Sequence, residues 1–311
     1  MYRVSYAQVN NAGDLLNVYI MKNIFGIEII CSNPYCAQIS GIGSHLSLFQ
    51  KSNEMKAKIF QYIFSKKKVN IWGTGFLNYE RLNEPSFFKQ RIVFNAVRGN
   101  LTKKRVEKLI GRKLEIPVCD GGILTSLMFN KSIEKKYEVG IIPHYKEQDS
   151  SWFEKLKSIS KHSIIIDLKS NPMDVYKTIG SCEYVISSSL HGLIISDSFG
   201  IPNLHVKVTD NMLGDGFKFS DYYSSYNIQD TPFSLEENKR LPSINDIIDQ
   251  YSITSSMVKK KQKQMLECFP IQQFRRAARY CKVYRNFFYC SGTYLHIRLQ
   301  RESSKIILLF F

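Results

Sequence analysis

Two histidines stand where a chain can use them as acid or base. The segment Ser187-Ser-Ser-Leu-His-Gly192 is entered by an apolar strand-like run, Glu183 to Ser187, and left by an apolar helical one, which puts His191 in the first turn of a helix. Free backbone N–H groups and the helix dipole favour an anion at such a place. The same field disfavours imidazolium, so His191 suits the acceptance of a proton from a hydroxyl. The competing reading is that the serines only cap the helix and His191 packs. His144 holds the matching position after the run Glu138 to Ile142, so both imidazoles could face one ligand; a structural histidine is the alternative.

Other apolar runs also end in polar residues. Arg98, after Val93 to Val97, carries the planar fork that clamps a carboxylate or phosphate, or else it makes a surface ion pair. Lys207 follows Asn203 to Val206. Asn11-Ala-Gly13-Asp14 reads as a turn with an N-cap, and Asp14 can cap a helix while its carboxylate faces a ligand. Gly41-Ile-Gly43-Ser44 and Gly73-Thr-Gly75 would bring backbone close to a ligand, yet neither has phosphate-loop spacing nor matches the dinucleotide fingerprint. The sequence has no Asp-x-Asp pair and no paired histidine ligands, so chemistry without a metal is expected.

These residues need elements to position them. Strand-like runs at Tyr2 to Ala7, Ile27 to Ile30, Val69 to Trp72, Val93 to Val97 and Ile116 to Cys119 alternate with helical patterns at Asp14 to Ile24, Asn53 to Phe64, Thr102 to Ile110 and Gly122 to Phe129. After a charged stretch, Asn130 to Tyr137, the alternation resumes. Strands at Glu138 to Ile142, Ser163 to Leu168, Glu183 to Ser187 and Asn203 to Val206 are interleaved with helices at Ser150 to Ser160, Pro172 to Ile179 and His191 to Phe199. Strand and helix in turn predict an α/β chain of two Rossmann-like domains facing a cleft, with ligands beyond the carboxyl ends of parallel strands. The domains are expected at 1–132 and 133–241. A basic helical C-terminal segment, 242–311, either packs back across the first domain or lies on a surface.

Composition narrows the classes. Hydrophobic residues at 44% and charged residues at 23% of 311 are a globular balance. Seven scattered cysteines without a Cys-x-x-Cys pair suggest neither a disulfide framework nor a zinc knuckle, and fit a reducing, cytoplasmic compartment. No secretory leader and no bilayer-spanning run are read. The net charge of +16 predicts attraction to polyanions, and much of it is local. Between Met257 and Arg301 the basic residues meet one acid, Glu267, and are interleaved with Phe274, Tyr280, Tyr284, Phe287, Phe288 and Tyr289.

The pieces in order resemble the polysaccharide pyruvyl transferase family. The resemblance rests on Asn11-Ala-Gly-Asp14, Gly41-Ile-Gly-Ser44, Ile71-Trp-Gly-Thr-Gly-Phe76, Val97-Arg-Gly-Asn-Leu-Thr102, Asp120-Gly-Gly-Ile-Leu124 and Gly140-Ile-Ile-Pro-His144. It continues through Ser187-Ser-Ser-Leu-His-Gly192, Gly200-Ile-Pro202 and Lys218-Phe-Ser-Asp-Tyr-Tyr-Ser224. It implies a fold similar to the B-type glycosyltransferases, with the acceptor on the N-terminal domain and the donor on the C-terminal one. It implies phosphoenolpyruvate as donor substrate and no further cofactor. The acceptor would be a sugar with two suitably spaced hydroxyls in a surface polysaccharide, such as capsule or exopolysaccharide, or in its lipid-linked precursor. The product would be a cyclic pyruvate ketal.

Carried onto this chain, the resemblance makes His191, His144 and Asp14 catalytic. It makes Asn11, Gly13, Gly43, Ser44, Arg98, Ser188, Ser189, Leu190, Gly192, Lys207 and Lys218 substrate-binding, with no metal ligand. Ser189 stands where the family often has arginine, and Asp120-Gly replaces a common Asp-Pro; Arg98, Lys207 or Lys218 could supply the missing charge. The enzymatic rival is a nucleotide-sugar glycosyltransferase of the same fold. A nucleic-acid partner finds no helix-turn-helix, RNP or zinc-finger pattern and is not expected. The basic tail could instead hold the protein at the anionic inner face of the cell membrane, where lipid-linked acceptors sit, or form a solvated helix face.

Overall fold

The computed structural model describes residues 1–51, 68–87, 91–208, 215–238 and 240–270. Five short strands, β1 (Tyr2–Ser5), β2 (Ile29–Cys31), β3 (Ile39–Ser40), β4 (Val69–Trp72) and β5 (Ile92–Ala96), pair in parallel in the order β2-β1-β3-β4-β5. Five more, β6 (Tyr137–Ile142), β7 (Ser163–Ile165), β8 (Cys182–Ser187), β9 (Asn203–Lys207) and β10 (Phe233–Ser234), pair in parallel in the order β10-β9-β8-β6-β7. Counted from the first strand of each half, the two orders are the same. In both, the chain steps to one side of its first strand and then returns to the other side. The carboxyl ends of β1 and β3, and of β6 and β8, therefore flank a topological switch point, where open parallel sheets hold ligands.

Each sheet has its own core. Val69, Ile71, Phe76, Phe87 and Val106 cluster in the first half, and Val139, Ile141, Phe153, Ile186 and Val206 in the second. Strands such as β4, buried at all four positions, are apolar without alternation because helices cover both faces of a parallel sheet.

Local chemistry sets the helix ends. Asn11 caps α1 (Ala12–Asn23) by accepting from the Gly13 N–H. Helix α2 (Asn100–Ile110) stops at Gly111, whose φ of 68° suits a left-handed cap. Helix α3 (Ser151–Leu156) starts at Ser150, and α4 (Pro172–Gly180) has proline in its first turn and the Asn171 side chain as cap. Helix α5 (Leu190–Ser198) follows β8, and α6 (Phe217–Ser224) follows β9. Then come α7 (Leu235–Asn238), α8 (Ile244–Gln250) with a Ser243/Asp246 capping box, and α9 (Ser255–Glu267).

Some elements depart from the sequence expectation. Ile116 to Cys119 is not a strand; it meets the first sheet through one bridge, Val97 to Val118, and Pro117 has no N–H to extend a ladder. Gly121–Met128 coils as a 3₁₀ helix. Strands β3 and β10, of two residues each, are too short to show a period. The expected helix Asn53 to Phe64 lies outside the described residues, as do the tail aromatics from Phe274 to Tyr289.

The described part of the C-terminal segment packs back across the first half. The Trp72 Nε1–H donates to the Met265 carbonyl at 3.1 Å, Lys261 Nζ to the Val118 carbonyl at 2.8 Å, and Gln262 Nε2 to the Ile123 carbonyl at 3.0 Å. Phe269 stacks on Phe25 with ring centroids 3.7 Å apart. No helix among the described residues is long and apolar enough to cross a membrane.

Candidate functional site

The carboxyl edges of the two sheets meet at one contact between glycine and histidine. A Cβ placed on Gly13, in the first turn of α1, would fall 2.1 Å from His191 Nδ1, so only glycine lets the imidazole of α5 lie against the start of α1. The same end of α1 is pinned to the second half. Its Ala12 N–H donates to the Leu168 carbonyl at 2.7 Å, and the Tyr176 hydroxyl of α4 donates to the Ala12 carbonyl at 2.6 Å.

The three serines ahead of His191 have separate tasks. Ser187 Oγ accepts from the Ser189 N–H at 2.9 Å and lies 2.9 Å from the Ile142 carbonyl. Ser188 Oγ accepts from the His144 N–H at 2.9 Å, which ties the end of β6 to the end of β8 across the switch point. Ser189 is the N-cap residue of α5, but no side chain caps that helix. The amide donors of Leu190, His191 and Gly192 therefore remain for an anion. Gly192 leaves room for Ser187, whose Oγ would lie 2.4 Å from an added Cβ. The reading that the serines merely cap α5 is thus not what the geometry shows.

Around this helix end the electrostatics are cationic and desolvated. Burial, then the charges of Lys218, Arg98 and His144, pushes His191 down to about 3. His144 falls to about 4 through burial and the nearby Lys218 and Lys146. Its Nδ1 accepts from the Lys146 N–H at 3.4 Å, which leaves the ring proton on Nε2. Both imidazoles are neutral at neutral pH. Burial and Arg98 lower Lys218 to about 8, opposed by Glu147 and Asp14, so it keeps its charge below that pH. Asp14 moves the other way. Burial raises it to about 6, with Lys218 pulling down and Asp120 pushing up.

The sequence-named residues thus divide. His191, His144, Asp14, Gly13, Lys218 and the amides at 190–192 come together. Asn11 is the α1 cap and acts on the site through Gly13. Ser44 accepts from Arg98 Nη1 at 2.5 Å, and Gly43, with a φ of 131°, keeps backbone clear of His45. Lys207 stands at the end of β9, one strand beyond β8, beside Ser234 of β10.

Arg98 is different. It is wholly enclosed, with Nε on Asp221 at 2.9 Å, Nη1 on Ser44 and Nη2 on the Phe76 carbonyl at 2.6 Å. The expectation that it clamps a ligand anion, or makes a surface ion pair, does not fit that burial; its charge reaches the site through space. Gly75 also serves this pair rather than a ligand, since a Cβ there would lie 2.6 Å from the guanidinium carbon.

Two groups at the site escaped the sequence reading. Asp221, on α6, accepts from Arg98, from the Thr102 N–H at 2.7 Å and from the Thr102 hydroxyl at 2.7 Å. The motifs Val97 to Thr102 and Lys218 to Ser224 are therefore two halves of one clasp. The second is His45, which follows β3; a two-residue strand gave no signal that a histidine stood at its carboxyl end.

Comparison with known proteins falls on the same region. A family model described as polysaccharide pyruvyl transferase matches residues 122–210, a span that includes His144 and His191. An uncharacterized protein, L143, of Acanthamoeba polyphaga mimivirus is 26% identical over 280 residues, 82% of this chain and 86% of that protein. The succinoglycan biosynthesis protein ExoV of Rhizobium meliloti (strain 1021) is 25% identical over 164 residues, 52% of this chain and 49% of that protein. Asp14, Arg98 and Lys218 lie outside the family match, yet the fold brings Asp14 and Lys218 to the histidines inside it. Residues 122–210 are thus similar to the polysaccharide pyruvyl transferases, the family that the sequence motifs resemble.

Proposed function

We propose that the protein transfers the enolpyruvyl group of phosphoenolpyruvate onto two hydroxyls of a sugar, forming a pyruvate ketal on a surface polysaccharide or its lipid-linked precursor. The observation that carries this reading is the contact of Gly13 with His191, which brings the start of α1, with Asp14, to the start of α5; both groups lie in the field of Lys218, with His191 driven down to about 3 and Asp14 up to about 6. Titratable neighbours driven apart in this way divide the work of base and acid. His191, with no proton at rest, accepts one from the first hydroxyl. Asp14, protonated to a higher pH than an ordinary aspartate, gives one to the methylene carbon of the donor.

The donor's phosphate and carboxylate need cations and amides. The uncapped start of α5 supplies amides, and Lys218 supplies the charge that Ser189 does not. Of the three cations that could replace the family arginine, Arg98 is spent on Asp221, whereas Lys218 acts on both His191 and Asp14. Lys218 is the choice this favours. His144 offers Nε2–H as a neutral donor to the same ligand.

The reaction balances without a redox partner. The first hydroxyl oxygen bonds to the central carbon as the methylene gains a proton. The carbon–oxygen bond to phosphate then breaks, and the second hydroxyl oxygen takes its place. Of the two hydroxyl protons, one is balanced by that on the new methyl group and the other by the proton that leaves with phosphate.

The nucleotide-sugar rival is separated by donor binding. Thermal shift with phosphoenolpyruvate, but not with a panel of nucleotide sugars, is expected, because a ligand of the folded state raises its apparent stability. His191→Ala should then lower ketal formation about 10²- to 10⁴-fold with the donor shift retained. A shift with a nucleotide sugar alone would replace this reading with glycosyl transfer.

A further inference from the structure

His45 occupies the switch point of the first sheet as His144 does that of the second. Its Nε2 lies 3.1 Å from the Ser5 carbonyl, at the end of β1, and 3.0 Å from Ser40 Oγ, at the end of β3. A carbonyl only accepts, so Nε2 carries the ring proton and Nδ1 keeps its lone pair. No hydrogen bond engages Nδ1 among the described residues, and the residue is partly exposed. Gly43, at a φ of 131°, passes this nitrogen without a side chain; a Cβ there would come within 2.9 Å of Nδ1. Burial, and behind it the charge of Arg98, holds the ring neutral. Arg98 acts in the same way on His191, so both imidazoles lie in the field of one guanidinium.

A neutral imidazole locked by one nitrogen, with the other free at the carboxyl ends of two parallel strands, is built to accept from a ligand O–H or N–H. The donor's anionic groups already have the start of α5 on the second half and Lys218 on α6, the helix clasped to Arg98. We infer that His45 Nδ1 receives the hydroxyl of the acceptor sugar on the first half, orienting the oxygen that closes the ketal and taking its proton as phosphate leaves. The inference rests on the pyruvyl-transfer reading and deepens it by naming the residue that receives the acceptor hydroxyl. The proton passes from the second hydroxyl to Nδ1, the new carbon–oxygen bond replaces the carbon–phosphate oxygen bond, and the proton is returned to the departing phosphate.

His45→Gln separates this role from a structural one, because a glutamine amide can still donate to the Ser5 carbonyl in place of Nε2–H but offers no acceptor at the Nδ1 position. Wild type and His45→Gln are compared in ketal formation from phosphoenolpyruvate with a panel of p-nitrophenyl hexopyranosides, with the phosphoenolpyruvate thermal shift measured on both. The expected result is an unchanged donor shift and a fall in kcat/KM for the hexoside of about 10²-fold or more. Wild-type turnover in His45→Gln would overturn the inference while leaving pyruvyl transfer standing. A lost donor shift in His45→Gln would also overturn it, since His45 would then serve the fold or the donor. No donor shift and no ketal with the wild type would remove the pyruvyl-transfer reading itself, and this inference with it.

Discussion

Lys218 joins a positive charge to a place where positive charge is costly. Burial and Arg98 hold it near 8, so its ammonium is charged below that pH and increasingly neutral above it. If it grips the donor's phosphate or carboxylate, phosphoenolpyruvate affinity should fall as pH rises through about 8. A charge-assisted hydrogen bond is worth about 1.5–3 kcal/mol, so the fall should reach roughly 10- to 100-fold by calorimetric titration. Lys218→Arg should keep tight binding to higher pH, because guanidinium does not deprotonate there, and Lys218→Met should bind weakly throughout. Binding by wild type that is flat from pH 7 to 9.5 would take the clamp away from Lys218. His144 and His191 were legible in the sequence because each follows an apolar strand within a few residues. The choice among cations was not. Arg98 reads as a clamp until its partner Asp221 is seen, 123 residues along the chain.

Helix α6 is the element that makes those distant residues one site. It presents Lys218 toward His191 and Asp14, and three positions later it presents Asp221 to Arg98 and to the start of α2. Ser224, a turn further on, accepts from the Asn100 N–H at 2.9 Å. The close approach also requires Gly99, where a Cβ would fall 1.7 Å from the Asp221 carbonyl oxygen. Removing one member of a buried ion pair leaves a bare charge, so Asp221→Ala should destabilise the fold by about 3–5 kcal/mol in urea unfolding. Arg98→Met combined with Asp221→Leu should recover much of that loss, since paired apolar replacements leave no charge behind. A single variant as stable as wild type would mean that the clasp does not hold α6. Sequence periodicity made most helices and strands legible, because a buried parallel strand and a surface helix differ in pattern over six or more residues. It could not show that two polar motifs, each resembling a ligand loop, bond to each other.

Across the whole unit, the buried acids and the buried imidazoles oppose each other in pH. Asp14 and Asp120 hold protons up to about 6 and Asp197 up to about 7, whereas an aspartate in an unfolded chain ionises near 4. Over that window the folded chain binds more protons than the unfolded one, so these acids lower stability as pH rises. His45, His144 and His191 stay neutral down to about 4, 4 and 3, while unfolded histidines protonate below about 6.5. They therefore raise stability as pH climbs from about 4 to about 6.5, and the two sets offset each other. Deleting one imidazole exposes its share. Relative to wild type, His191→Ala should gain stability as pH falls from 6.5 toward 4, by at most about 1.4 kcal/mol per pH unit, since one proton fewer must be excluded from the fold. Urea unfolding of both proteins at intervals across that range measures the difference directly. A constant difference would mean that His191 is as free to protonate folded as unfolded, and the neutral base on which the proposed chemistry depends would not exist.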